Sequence, residues 1–279
     1  MNKRLFWIFS GMALALFLFF SFFDLPFSQA VYSPALPIAR FLALTGDAPI
    51  YIFLSFLGFG FFFCLKGKGV RYLGFLLVAL GTGFGTYMFF DHVIEENFSL
   101  PALALPLVLT ECALGFLIAF LLRKRMGKDA LSVLFALTAA LAFSLLLTHL
   151  GKPFFGRLRF REMLEMGSFD GYTPWWVPHL RIDGEVYKSF PSGHTNAAAA
   201  SFFLWWLPAL CPSFSKKEKV FLYVIPMFCT LAVAASRVLV GAHFVTDTLA
   251  GMLIAIFSFY LADAIRRKIL QNRKGAQRS

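Results

Sequence analysis

Through most of this chain apolar residues neither alternate with polar ones nor recur every third or fourth position; they form long runs. Such runs occupy residues 5–23, 49–65, 72–90, 100–122, 131–150, 194–210, 220–235 and 245–264. Each approaches the roughly 20 residues that a helix needs to cross about 30 Å of hydrocarbon. Lipid offers the backbone no hydrogen-bond partner, so helices are the expected form. The pattern predicts an all-α, polytopic transmembrane helix bundle of about eight spans. Most connections are short and no repeat is visible, so residues 1–279 read as a single membrane domain. Within it, 1–66 holds the first two helices, 72–264 the core, 151–191 an external loop and 265–279 a basic tail.

Three segments qualify this pattern. The first run follows Asn-Lys-Arg and precedes Ser28-Gln29-Ala30, which resembles a signal-peptidase site. It is longer than a usual signal h-region, so it reads as a retained helix. Residues 25–48 combine Pro with alternating apolar positions and predict an amphipathic helix lying on the membrane surface. Residues 151–191 carry Pro153, Pro174 and Pro178, which break any long helix, and Tyr172, Trp175, Trp176 and Tyr187, which argue against disorder. Those aromatics suit either an interfacial belt or a lid over a headgroup.

Composition agrees: 59% of residues are hydrophobic and 15% charged, which excludes an ordinary soluble domain. A net charge of +11 raises the question of nucleic acid, and placement answers it. With the N-terminus inside, 18 of the 26 Lys and Arg fall in cytoplasmic segments: Lys3 and Arg4; Lys66, Lys68 and Arg71; residues 123–128; Lys216, Lys217 and Lys219; and the tail. Eight spans with both ends in the cytoplasm therefore satisfy the positive-inside rule. Asp91, Glu95 and Glu96 gather outside. The tail favours anionic lipid, and no nucleic-acid partner is expected. Cys64, Cys112, Cys211 and Cys229 lie in or beside different spans without CxxC spacing, so neither a disulfide nor a zinc site is indicated.

Against this background three polar segments are expensive, and the topology puts all three on the external side. They are GKPFFGRLRF (151–160) with Lys152, Arg157 and Arg159, PSGH (191–194), and SRVLVGAHFVTD (236–247) with Arg237. A cluster of Lys and Arg at the mouth of a bundle wants an anion, and phosphate is the obvious one. Gly193 lets a backbone N–H approach an oxyanion at a helix N-terminus, and Ser192 adds a hydroxyl donor. His243 and Asp247, four apart, share a helical face, so the carboxylate can orient the ring and leave its other nitrogen as a nucleophile. His194, from another helix, can protonate a departing alkoxide. The same His-x-x-x-Asp spacing also suits a metal, though the surrounding cations would repel one. Ser192 and His194 are too close in sequence for a serine-protease pair. His92, His149 and His179 lack a comparable setting and read as surface or interface residues. Glu111, inside a span, is expected to face the bundle interior.

At Lys152 to Arg159, Pro191 to His194 and Ser236 to Asp247 the sequence resembles the type 2 phosphatidic acid phosphatase superfamily, with its KxxxxxxRP, PSGH and SRxxxxxHxxxD signatures in order. Phe160 stands where the family has Pro. The family commonly has six core spans. The resemblance implies metal-free and cofactor-free hydrolysis through a phosphohistidine at His243, with Asp247 orienting that ring and His194 protonating the leaving group. Lys152, Arg159, Ser192, Gly193 and Arg237 would hold the phosphate. It thus points to a phosphatase in the cytoplasmic membrane, acting at the outer face on a lipid phosphate or diphosphate. Undecaprenyl diphosphate, phosphatidylglycerophosphate, phosphatidic acid and lipid A phosphates all fit. A non-hydrolytic lipid-phosphate binder or transporter and a lipid phosphotransferase are the alternatives. The sequence leaves oligomeric state open.

Overall fold

The computed structural model describes residues 3–64, 71, 72, 74–83, 87, 104–181 and 184–276. Among the described residues the chain is helical, without strands. The helices are α1 (Lys3–Val31), α2 (Pro37–Thr45), α3 (Ala48–Cys64), α4 (Gly74–Gly83), α5 (Ala104–Leu122), α6 (Ala130–Phe155) and α7 (Phe160–Glu165). They continue with α8 (Gly193–Ala199), a 3-10 segment (Ala200–Trp206), α9 (Leu207–Leu210), α10 (Lys216–Leu239) and α11 (Val245–Ala276).

Six of these stretches are long and apolar enough to cross a membrane: Phe6–Val31, Pro37–Cys64, Leu105–Leu122, Ala130–Glu165, Lys216–Leu239 and Val245–Arg273. The predicted third and sixth spans are not among them. Of the third, only α4 and a few neighbouring positions are described; His92, Asp91, Glu95, Glu96, Lys66 and Lys68 lie outside the described residues. The sixth is broken into α8, the 3-10 segment and α9. It is almost wholly buried: Ala198, Ala199, Phe202, Trp205 and Trp206 are at most 2% exposed. This is the central helical strut, and α3, α6, α10 and α11 pack around it.

Lipid tails are as apolar as Phe, so helix contacts here gain by close packing more than by leaving a polar solvent. Phe53 stacks on Phe203 with centroids 4.7 Å apart, and Phe56 does so at 5.0 Å. Where α3 meets α4 the packing tightens to backbone contact. A Cβ added at Gly58 would lie 2.5 Å from the Gly74 carbonyl oxygen, and the reverse distance is the same. Trp7, Phe22 and Phe228 point outward, as residues facing hydrocarbon should.

Two expectations change. The first helix does not stop near residue 23 but runs to Val31, packing along α11, so it is an integral wall of the bundle. Of residues 25–48, expected as one surface helix, 25–31 belong to α1 and only Pro37–Thr45 forms a separate helix, whose Ala39, Ala43 and Leu44 face is buried, with Ala39 and Ala43 packed against Val240 and Ala242 beyond α10. That face is turned to protein and not to the membrane surface, while Ile38 and Phe41 remain exposed. At the opposite end Arg125 reaches Ser213 (3.0 Å) and Glu218 (3.5 Å), so the basic segments 123–128 and 213–219 share one end of the molecule.

Candidate active site

All three polar segments converge at the other end. Helix α6 runs past its predicted limit, with Lys152 in its last turn and Pro153 tolerated near the terminus. Gly156, in the left-handed region at φ 53°, ends the helix and donates its N–H to the Lys152 carbonyl (3.0 Å). The chain then extends beside residues 186–189. The Arg159 N–H donates to the Val186 carbonyl (2.9 Å), and the Ser189 N–H to the Arg157 carbonyl (3.0 Å). Phe160, fully buried, opens α7 and packs on Tyr32, Phe169 and Phe244, filling with a ring the place where the family has a proline. Arg159 is thereby held at the N-cap, buried, with Nη2 4.0 Å from Glu185 Oε2.

The PSGH turn follows a cis Phe190–Pro191 bond. Ser192 caps α8 by accepting from the Thr195 N–H (3.3 Å) and hydroxyl (3.1 Å). Its own N–H donates to the Asp247 carbonyl (2.9 Å), tying the turn to α11. Only a glycine allows that approach, since a Cβ at Gly251 would stand 2.3 Å from the Ser192 carbonyl oxygen. A Cβ at Gly193 would lie 3.1 Å from Lys152 Nζ, so the missing side chain leaves the ammonium room beside the turn. His194 comes next, half-buried like Lys152 and Gly193, whereas Arg159, Ser192, Arg237, His243 and Asp247 are buried. The cluster therefore opens on its Lys152–His194 side.

In the third segment Gly241 (φ 71°) turns the chain between α10 and α11. Arg237, 2% exposed, reaches the Ala43 carbonyl at 3.4 Å, and its own carbonyl accepts the His243 N–H at 3.2 Å. His243 Nδ1 lies 2.6 Å from the Ser189 carbonyl oxygen, while Asp247 Oδ2 is 3.8 Å away. The expected direct bond from Asp247 to the ring is thus replaced by a backbone acceptor, with the carboxylate behind it. Burial pushes the His243 pKa down to about 4; Asp247 opposes that shift, while the Arg237 and Arg159 charges reinforce it. The ring is neutral at physiological pH. Glu185 has its pKa held down by Lys188, Arg159 and Lys152 against the opposing effect of its own burial.

One expectation is overturned. Arg157 does not join the anion cluster: it is buried and spent on protein, with Nη1 on Asp247 Oδ1 (2.6 Å), Nη2 on Asp24 Oδ2 (3.1 Å) and Nε on the Thr173 carbonyl (2.9 Å). Asp24 and Ser189, which lie outside the three signatures, join this network. The Ser189 hydroxyl donates to Asp247 Oδ2 (2.5 Å), which also accepts the Phe244 N–H (2.8 Å). Trp175 and Trp176 touch edge to face but differ in setting: Trp175 donates to Ser21 Oγ (2.9 Å) and stacks on Phe190, bracing the loop, while Trp176 is exposed. His149 is exposed and His179 half-buried. Glu111 is half-buried on α5, which packs on α3.

Residues 129–270 match the family described as the PAP2 superfamily. Phosphatidylglycerophosphatase B of Bacillus subtilis (strain 168) is 34% identical over 106 residues, 36% of this chain and 52% of its own. Probable lipid phosphate phosphatase 4 of Arabidopsis thaliana is 37% identical over 82 residues, 28% of this chain and 27% of its own. The matches thus span about half the length of the first relative and about a quarter of the second. No solved structure matches the chain with significance.

Proposed function

The chain belongs to the PAP2 superfamily, and from that premise we propose that it is a multi-pass membrane phosphatase that hydrolyses a lipid phosphate or diphosphate through a phosphohistidine. Lys152, Arg159 and Arg237 hold the phosphate with the Ser192 hydroxyl and the Gly193 N–H. The His243 Nε2 lone pair attacks phosphorus, forming an N–P bond as the P–O bond to the lipid breaks. His194 gives its proton to the departing oxygen. The Nδ1–H stays on the Ser189 carbonyl, and Asp247 balances the positive charge that the ring acquires. Water then attacks the phosphohistidine, giving a proton to the now neutral His194; the N–P bond breaks, the ring returns to its neutral state and inorganic phosphate is released. No step calls on a metal.

The observation that carries this reading is the seam between residues distant in sequence: Ser189 on His243, Ser189 and Ser192 on Asp247, and Gly193 against Lys152. The relatives' names, a phosphatidylglycerophosphatase and a lipid phosphate phosphatase, support a phosphorylated lipid as substrate. The placement of Lys and Arg supports a cytoplasmic membrane with both termini inside and the site outside. The shared basic end formed by Arg125 and residues 213–219, opposite the site, agrees with that orientation.

Purified protein offered phosphatidylglycerophosphate, phosphatidic acid, undecaprenyl diphosphate and lipid A, with EDTA present, should release phosphate from at least one. His243→Ala should release none. Activity that appears only with added divalent metal would overturn the mechanism.

A further inference from the structure

A carboxylate from the first helix, outside the family-matched residues 129–270, is wired into the site. Asp24 is 1% exposed, and its Oδ1 accepts the Thr246 N–H (3.0 Å). Its Oδ2 accepts from Arg157 Nη2 (3.1 Å) and from the Thr246 hydroxyl. The same arginine donates through Nη1 to Asp247 and to Thr246 Oγ1 (3.0 Å), with its guanidinium 4.0 Å from the centroid of the Phe244 ring. One buried cation is therefore shared by two buried carboxylates, and the second of these backs His243.

We infer that Asp24 is a positioning residue for the reaction proposed above, acting through Arg157 to keep the Asp247 carboxylate available to His243. Charge bookkeeping gives the reason. With both carboxylates ionised, Asp24, Arg157 and Asp247 together carry one excess negative charge, and their burial leaves little solvent to screen it. When His243 is phosphorylated with its Nδ1 proton retained, the ring becomes cationic and the buried group reaches neutrality. Without Asp24, Arg157 would neutralise Asp247 alone, leaving nothing to offset the imidazolium. The Lys152, Arg159 and Arg237 charges cannot help, because they are positive and matched to the phosphate. Ser21, one turn before Asp24, is held by Trp175, which fixes the register of α1.

This inference rests on the phosphatase reading, so its test needs a readout free of turnover. The full chain, purified in detergent, carries Asp24→Asn or Asp24→Glu, with thermal melting to score folding. Asp24→Asn keeps the shape and an acceptor for the Thr246 N–H. It should lower kcat by roughly 10- to 100-fold with KM within about threefold, and Asp24→Glu should recover part of the loss. In parallel, 13C-histidine NMR follows the His243 ring, assigned by His243→Gln. The ring is faced by Asp247, Arg237 and Arg159, and Asp24 by Arg157, Asp247, Thr246 and Tyr172. Removing the Asp24 charge should move the His243 midpoint down by about half a unit or more. Paired with Arg157→Gln, the Asn variant should show non-additive losses in kcat.

A folded Asp24→Asn protein with wild-type kcat and an unshifted ring titration overturns the inference. So does a loss of activity that only tracks the loss of folded protein. If Asp24→Asn does not fold, Asp24→Glu decides, since a displaced carboxylate with unchanged kcat and titration is equally contrary. Wild-type protein inert toward every lipid phosphate would instead overturn the phosphatase reading, while the titration would still decide the coupling of Asp24 to His243.

Discussion

His243 Nδ1 is 2.6 Å from the backbone carbonyl of Ser189, closer than it is to the Asp247 carboxylate. A backbone acceptor cannot be removed by trimming a side chain, so the ring's orientation is set by the course of residues 186–192 more than by any one polar group. Asp247 then acts at one remove, as charge and as the anchor for Ser189, Phe244 and Arg157.

Ser189→Ala should therefore be mild. It deletes one donor to Asp247 and leaves the carbonyl in place, so stability should fall by about 1 kcal/mol and kcat by less than about fivefold. Asp247→Asn should be severe, with kcat down at least about a hundredfold and a lower melting temperature, because Arg157 loses half its compensation. Steady-state kinetics and thermal melts of the two variants side by side check this contrast.

The neutral state of His243 has a pH signature. Its folded value, about 4, lies below the ordinary histidine value of 6.5, so between these limits the unfolded chain binds the extra proton. The stability that this group contributes is complete above about 6.5 and is lost as pH falls toward 4. Melting temperature should decline across that window, and His243→Gln should flatten the decline. In kcat/KM, corrected for ionisation of the substrate, the acid limb should lie near 4 and not near 6.5.

Two glycines should respond differently to alanine. At Gly193 the new methyl meets the mobile end of Lys152, so the protein should fold while KM rises by roughly tenfold as the ammonium is displaced. At Gly251 it meets the backbone carbonyl of Ser192, which cannot give way, and Gly251→Ala should cost about 2 kcal/mol or more in stability. Expression level and melting temperature separate the two.

Phe160→Pro would restore the residue usual in the family. Its backbone suits the first position of α7, yet the buried ring against Tyr32, Phe169 and Phe244 would be lost. The expected outcome is a folded protein destabilised by about 2–4 kcal/mol, with Arg159 still in place and KM little changed.

Much of the site was legible because its chemistry is concentrated in three short, costly polar segments, and their clustering at one end follows from counting crossings. Arg157 was not legible. In sequence it is one more cation beside Lys152 and Arg159, and only the path of the chain after Gly156 turns it inward to Asp24 and Asp247. Asp24 was hidden by its position just past an apolar run, where an acid looks solvated. Extending that helix to Val31 would have marked it as an ionisable residue within a span. Ser189 acts through its carbonyl, which no side-chain pattern reports. The central strut departs from the regular span expected there because its middle winds as a 3-10 helix, a detail of packing around Phe203 and Trp206 that hydropathy does not record.

If His243 carries the phosphoryl group, that group can be trapped on its ring. Wild-type protein mixed with a lipid substrate bearing 32P in the transferred phosphate is quenched in alkali within milliseconds, digested, and its labelled peptide sequenced. An alkali-stable, acid-labile label should appear on the peptide containing His243, be absent from His243→Ala and accumulate in His194→Ala when the substrate has a good leaving group. Label on another residue, or turnover that continues in His243→Ala, would contradict that role for His243.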